Sequence, residues 1–235
     1  MCTLTYLLTD TGYELFFNRD ELRSRQQAIA PLLNNQLKTI YPIDPVGKGT
    51  WLAVHESGLS LALLNFYHAQ QDASGEYLSR GKIIVSLMKD PNNVINNLNK
   101  MDFSEYLPFQ LCIFTQDLSL NKDKVRMFQW TGSLLQEVEV TLPITSSSVA
   151  YPVVYKQRQV RFSELVNSSM PTREQLIAYH DSQETDTKLS VRMSRPDAQT
   201  VSFSHIIVDQ KIHFHYHDYI PMLPQDTLSV TSSVT

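Results

Sequence analysis

The sequence predicts an α+β layered fold, and three observations carry that reading. Strand-like hairpins stand near both ends of the chain, and helix-periodic segments lie between them. The 235 residues show no internal repeat, heptad run or compositional break that would mark a second domain. A chain of this length can bury a full core, so a single domain over residues 1–235 is expected.

In chain order, residues 3–8 and 13–18 read as strands around Thr9-Asp10-Thr11-Gly12, a turn whose glycine suits positive φ. Residues 50–55 and 59–65 read as a second hairpin around Glu56-Ser57-Gly58. Residues 80–87 are helix-periodic. Asp90-Pro91 then offers a cap and a first-turn proline for a helix through Val94, Ile95 and Leu98. Segments 111–115, 125–130 and 134–140 run apolar or alternate like strands of a sheet. Residues 157–166 and 173–180 fit helices, the second opened by a capping box of Thr172 and Gln175. Residues 181–186 are a polar loop, and 201–208 with 212–216 form a last hairpin turning at Asp209-Gln210. The Ser/Thr-rich tail, 225–235, is expected to fray.

Composition excludes several classes of function. The formal net charge is −4, too weak a field to recommend nucleic acid or an anionic membrane as partner. The longest apolar runs, such as Leu59-Ser60-Leu61-Ala62-Leu63-Leu64, are too short to span a bilayer. The start of the chain has neither the basic segment nor the long apolar stretch of a signal peptide. Two cysteines give no disulfide framework, which points to a reducing compartment and a cytoplasmic protein. Cys112 lies in an apolar run, Phe109-Gln110-Leu111-Cys112-Ile113-Phe114, and reads as a buried structural thiol.

Cys2 is different. Aminopeptidases remove Met1 when a small residue follows, and Cys2 would then carry a thiol and a free α-amine together. Reference pKa values of about 8.5 and about 7.7–8.0 let such a residue serve as nucleophile and as its own base. The first hairpin returns Asn18-Arg19-Asp20-Glu21 to its neighbourhood. A guanidinium beside a thiol favours thiolate, and a carboxylate beside an amine holds it. Alone, a run of mixed charges at a strand end is more often a solvated set of ion pairs.

Met1-Cys2-Thr3, Phe17-Asn18-Arg19-Asp20-Glu21, and Gly49-Thr50-Trp51-Leu52 with Gly58 and Asn65 downstream resemble the NRDE family, also called the transport-and-Golgi-organisation family. That family is grouped with the N-terminal-nucleophile hydrolases. Cys2, Arg19, Asp20 and the run from His55 to Phe66 are similar to parts of bile salt hydrolases and penicillin V acylases. The motifs cover the first third of the chain, continue through Ser79-Arg80-Gly81, and become diffuse afterwards. The resemblance implies a four-layer αββα fold in which Cys2 is the nucleophile, Arg19 sits beside the thiol, Asp20 binds the amine and Asn65 serves the oxyanion. It also implies substrate-binding roles for Asn18, Glu21, Trp51 and Arg80. Where the related amidases carry a second Asn in mid-chain, this sequence has Thr145-Ser146-Ser147-Ser148, which makes Ser147 a candidate contact. A distal arginine of those sites has Arg192 and Arg195 as its nearest counterparts, with Arg195 taken as the candidate.

His213, His215 and His217 alternate with Phe214 and Tyr216, so on a strand the three imidazoles share one face. No Cys or Glu is spaced with them, and a half-exposed strand face is favoured over a metal site. The expected function is a cysteine amidohydrolase or acyltransferase that acts on a linear, non-peptide amide through a Cys2 thioester, with no metal or organic cofactor. Its rivals are a non-catalytic carrier on the same fold, handling haem or lipid, and a redox-reactive thiol protein.

Overall fold

The computed structural model describes residues 2–69, 75–220 and, as backbone, 228–233. The chain opens with the hairpin β1 (Cys2–Thr9) and β2 (Gly12–Leu22), followed by β3 (Ile29–Asn34), β4 (Thr39–Ile43), β5 (Leu52–His55) and β6 (Ser60–Asn65). Helix α1 (Gly81–Leu87), a 3-10 turn at Pro91–Asn93 and α2 (Val94–Lys100) come next. Strands β7 (Phe109–Phe114), β8 (Arg126–Trp130), β9 (Leu135–Val138) and β10 (Ile144–Ser146) precede α3 (Tyr151–Leu165) and α4 (Arg173–Asp181). The chain ends in β11 (Ala198–Val208), β12 (Lys211–Asp218) and β13 (Leu228–Ser233).

Two antiparallel sheets result. The first has the order β10-β1-β2-β11-β12-β13, and the second is a meander from β3 to β9. Side chains alternate across each strand, so both faces of a sandwiched sheet must find apolar cover. In β2, Tyr13, Leu15 and Phe17 face the second sheet, joining Leu52, Val54, Ala62, Leu64 and Phe114 in the central core. Phe16 faces outward instead and packs with Phe162, Leu176 and Tyr179 of α3 and α4. On the far side of the second sheet, Leu61, Leu63, Leu111 and Ile113 meet Ile83, Ile84 and Leu87 of α1 and Leu98 of α2. These three apolar interlayers make the expected αββα stack. Each fully buried Leu, Ile or Phe stabilises it by about 1.5–3 kcal/mol.

Several local expectations need correction. Gly12 is not a positive-φ residue; a Cβ there would lie 1.9 Å from the Val208 carbonyl oxygen, so close approach of the β11–β12 hairpin is what requires it. The tail does not fray throughout, because Leu228–Ser233 pairs with β12. Residues 225–227 and 234–235 of that expectation, and Met1, lie outside the described residues. Helix α3 begins at Tyr151, well before residue 157, since Pro152 sits in its first turn where no amide hydrogen is needed. The capping box of α4 is present: Gln175 N–H donates to Thr172 Oγ1, and the Gln175 side chain accepts from Thr172 N–H.

One irregularity lies beside Asp20. β2 and β11 pair in register from Val208↔Tyr13 to Ser202↔Arg19, and the next pair is Thr200↔Asp20. Val201 is the extra residue of a β-bulge.

Candidate active site

A cleft of about 610 Å³ opens where the ends of β1, β2 and β6 meet the segments that lead into β5 and α1. Among its lining residues are Cys2, Arg19, Asp20, Glu21, Trp51, Asn65 and Arg80. Seven of the ten candidate positions are therefore brought together. Asn18, Ser147 and Arg195 are not among the lining residues.

Antiparallel pairing explains the position of Cys2. Its cross-strand neighbours are Arg19 on β2 and Ser146 on β10. Burial pushes the Cys2 thiol above its ordinary pKa, and the Asp20 charge pushes the same way. The positive chain terminus, the Asp20 backbone N–H and the Arg19 guanidinium oppose them. Arg19 acts less strongly on the thiol than burial does. Its guanidinium lies 4.1 Å from the centre of the Trp51 ring, and Nη2 bonds Glu21 Oε2 at 3.1 Å. Such a cation–π contact contributes about 0.5–2 kcal/mol and fixes the side chain against the cleft wall.

Asp20 alternates to the opposite face of the sheet, toward the α3–α4 layer. There its Oδ1 accepts from Thr200 Oγ1 at 2.6 Å and its Oδ2 from Arg158 Nη2 at 3.2 Å. The bulge at Val201 is what puts Thr200 opposite Asp20. Arg158 of α3 is fully buried and also donates to Thr3 Oγ1 and, at 2.9 Å, to the Ser190 carbonyl. It thus grips the residue after Cys2 and the residue after Arg19 from behind the sheet. Nothing in the local sequence signals this role, since Arg158 sits in a helical segment with polar neighbours such as Lys156 and Gln157.

Asn65 ends β6 and donates to the Tyr67 hydroxyl at 2.6 Å. Arg80 donates to the Pro108 carbonyl at 3.0 Å, and burial holds its pKa below the usual value. Gly49 and Gly81 bring the two cleft walls together: Thr50 N–H donates to the Gly81 carbonyl at 3.2 Å, and a Cβ on Gly49 would lie 2.4 Å from the Gly81 carbonyl carbon. Tyr67, Tyr77 and Leu107 also line the cleft, and sequence reasoning had not singled them out.

The other candidates make contacts within the fold away from the cleft lining. Asn18 is completely buried and donates to the carbonyls of His180 and Val191, at 2.8 and 3.2 Å, tying β2 to α4 and the loop after it. The Ser147 hydroxyl donates to the Val149 carbonyl at 2.6 Å in a local turn. Arg195 pairs with Asp197 at 2.9 Å, and Arg192 with Asp181 at 2.8 Å. His213 and His215 lie with their rings nearly parallel, on the face of β12 opposite Phe214 and Tyr216, which join the central core. Among the described residues no group of three or more His, Cys, Asp or Glu is placed to hold a metal ion.

A family model described as Transport and Golgi organisation 2 matches residues 1–219. No curated protein matches the sequence significantly. Two of the solved structures that share the fold illustrate the likeness. One is the Caenorhabditis elegans ortholog of N-acylethanolamine-hydrolyzing acid amidase, at TM-score 0.57 and 8% identity, covering 88% of this chain and 92% of the other. The second is a C2A mutant of conjugated bile acid hydrolase from Clostridium perfringens, at TM-score 0.51 and 14% identity, covering 98% and 92%. The fold is that of the N-terminal-nucleophile hydrolases. Among the described residues no helix is long and apolar enough to cross a membrane.

Proposed function

The chain belongs to the Transport and Golgi organisation 2 family, and from that premise we propose that it is an N-terminal cysteine amidohydrolase or acyltransferase acting on a small, linear, non-peptide amide. The observation that carries this reading is the convergence of Cys2, Arg19 and Asn65 on one open cleft, with the Asp20 carboxylate held directly behind the strand pair that carries Cys2. Both structural relatives are named as hydrolases, one of N-acylethanolamines and one of conjugated bile acids, which supports the class of reaction.

In the proposed reaction Met1 is first removed, and the Cys2 amine, held by Asp20, takes the thiol proton. The sulfur bonds to the amide carbon, and the carbonyl oxygen becomes an oxyanion that accepts from the Asn65 side-chain amide. The C–N bond then breaks, the leaving amine takes the proton from the Cys2 ammonium, and a thioester remains. Water or another acceptor adds to the thioester carbon and gives its proton to the Cys2 amine. The C–S bond breaks, the acyl product leaves, and the thiol recovers its proton. One Nδ2 hydrogen of Asn65 donates to the Tyr67 hydroxyl, which holds the amide in place, and its second hydrogen is the one that serves the oxyanion.

The test is mass spectrometry of the intact protein, alone and with a panel of N-acyl compounds. Mature protein should lack Met1, and an active compound should leave an acyl adduct on Cys2 that Cys2→Ala abolishes. Asn65→Ala should lower kcat by about 100–1,000-fold. Retained Met1 in an active protein would sink the amine-as-base mechanism. A second reading, a carrier of haem or lipid on the same fold, rests on Thr145-Ser146-Ser147-Ser148 standing where the related amidases carry a second Asn. Tight reversible binding without any adduct would support that carrier.

A further inference from the structure

Four cationic side chains line the cleft: Arg19, Arg25, Arg80 and Lys82. Two are neutralised within it. Arg19 meets Glu21 at 3.1 Å, and Arg25 meets Glu21 at 3.5 Å and Asp44 at 2.5 Å. Asp20, the remaining acid of the lining, is paired from behind by Arg158 at 3.2 Å. Arg80 and Lys82 are left over, and neither makes an ion pair with a carboxylate among the described residues. Lys82 is exposed at the rim, but Arg80 is half-buried, with the Pro108 carbonyl as its hydrogen-bond acceptor. It lies within electrostatic reach of Cys2, Tyr67 and Glu21. Removing a guanidinium from water is costly unless an anion compensates it, and its planar fork suits the two oxygens of a carboxylate.

We propose that Arg80, assisted by Lys82, binds an anionic group of the substrate, so that the amide processed at Cys2 carries a carboxylate or similar oxyanion close to the scissile bond. This substrate class rests on the hydrolase reading above. A neutral amide would leave the half-buried guanidinium without a carboxylate partner among the described residues, and an anionic one supplies that partner. An oxyanion on either the acyl or the amine side of the bond satisfies that chemistry.

Binding to the Cys2→Ala chain separates this proposal from catalysis. Calorimetry would compare N-hexanoylethanolamine, which is neutral, with N-hexanoylglycine and with the monoethanolamide of adipic acid. The two anions carry their charge on the amine and acyl sides respectively. At least one anion should bind about 10–100-fold tighter than the neutral amide, the range of a charge-assisted contact. That preference should shrink as salt rises. Arg80→Gln should remove the preference while weakening the neutral amide far less. Lys82→Gln, an exposed change that leaves the core intact, should reduce the preference several-fold. Equal affinities for all three compounds would overturn the proposal, as would binding of none, or a preference that survives both substitutions. Adduct formation by the Cys2-intact chain judges the hydrolase reading separately, so either can fail while the other stands.

Discussion

Arg158 holds Thr3 and Asp20, the neighbours of Cys2 and Arg19, from behind the sheet, and the sequence did not disclose it. Its partner Asp20 is 138 positions away, and no spacing rule links a mid-helix arginine to a strand-end aspartate. The placement of Arg19 and Asp20 beside Cys2 was legible because one hairpin joins them, whereas Asn65 sits on the other sheet and only the family resemblance linked it to them. Ser147 and Arg195 are not among the residues that line the cleft, and nothing in the local sequence says which way a loop residue turns. Removing one partner of a buried ion pair leaves the other charged and unsolvated. Arg158→Met should therefore destabilise the fold by about 3–5 kcal/mol, read from the urea midpoint. Adding Asp20→Asn should recover part of that loss, because the uncompensated charge is then gone. A single substitution that costs nothing would refute the buried pair as a source of stability.

At the scale of elements, the strands and helices with clear periodicity were legible, and those interrupted by proline were not. Strands β3 and β4 escaped notice because Pro31 and Pro42 break their pattern. In the structure Pro31 falls within an irregular stretch of the edge strand, where a missing donor costs little. Strand β10 has three residues, too few to carry a period, yet it supplies the neighbour Ser146 beside Cys2. The approach of Gly49 to Gly81 is the element contact that shapes the cleft, since it locks the entry to β5 against the start of α1. A Cβ on Gly81 would lie 2.7 Å from Thr50 N and 2.8 Å from Thr50 O, both backbone atoms that cannot rotate away. Gly81→Ala should cost about 1–3 kcal/mol, the usual penalty of overpacking. Because the contact is mutual, Gly49→Ala combined with it should cost less than the two separate losses together. Additive losses in denaturation would show that the walls are independent.

For the whole molecule, the four-layer order followed from family resemblance, whereas composition and periodicity only allowed it. The reason is physical: periodicity reports that a strand has two faces, but not which layer covers each. That cover also sets the response to acid. His180 of α4 is buried against Phe16 of the first sheet, and its burial, with Arg158 and His205 nearby, holds its pKa down to about 3. The folded protein keeps it neutral, while the unfolded chain takes up a proton below about 6.5, so stability should fall as pH drops from 6.5 toward 3. Glu14 adds a second loss. Burial pushes its carboxyl up, but the hydrogen bonds from His205 and Arg173 prevail and hold it at about 2, so its contribution drains between 4.5 and 2. Urea midpoints measured from pH 7 to 4 should decline, and His180→Gln should flatten the upper part of that decline. A flat profile in the unsubstituted protein would refute this account. The bulge in β11 has a bearing on chain length itself. In an unbulged ladder Val201 would stand opposite Asp20, and an apolar side chain would replace the Thr200 hydroxyl. If Val201 were deleted, Thr200 would still meet Asp20 and Ser202 would still meet Arg19. Insertion and deletion are therefore asymmetric here: the strand can give up one residue and keep its partners, but a second extra residue would displace Thr200 from Asp20 or every pair on one side of it.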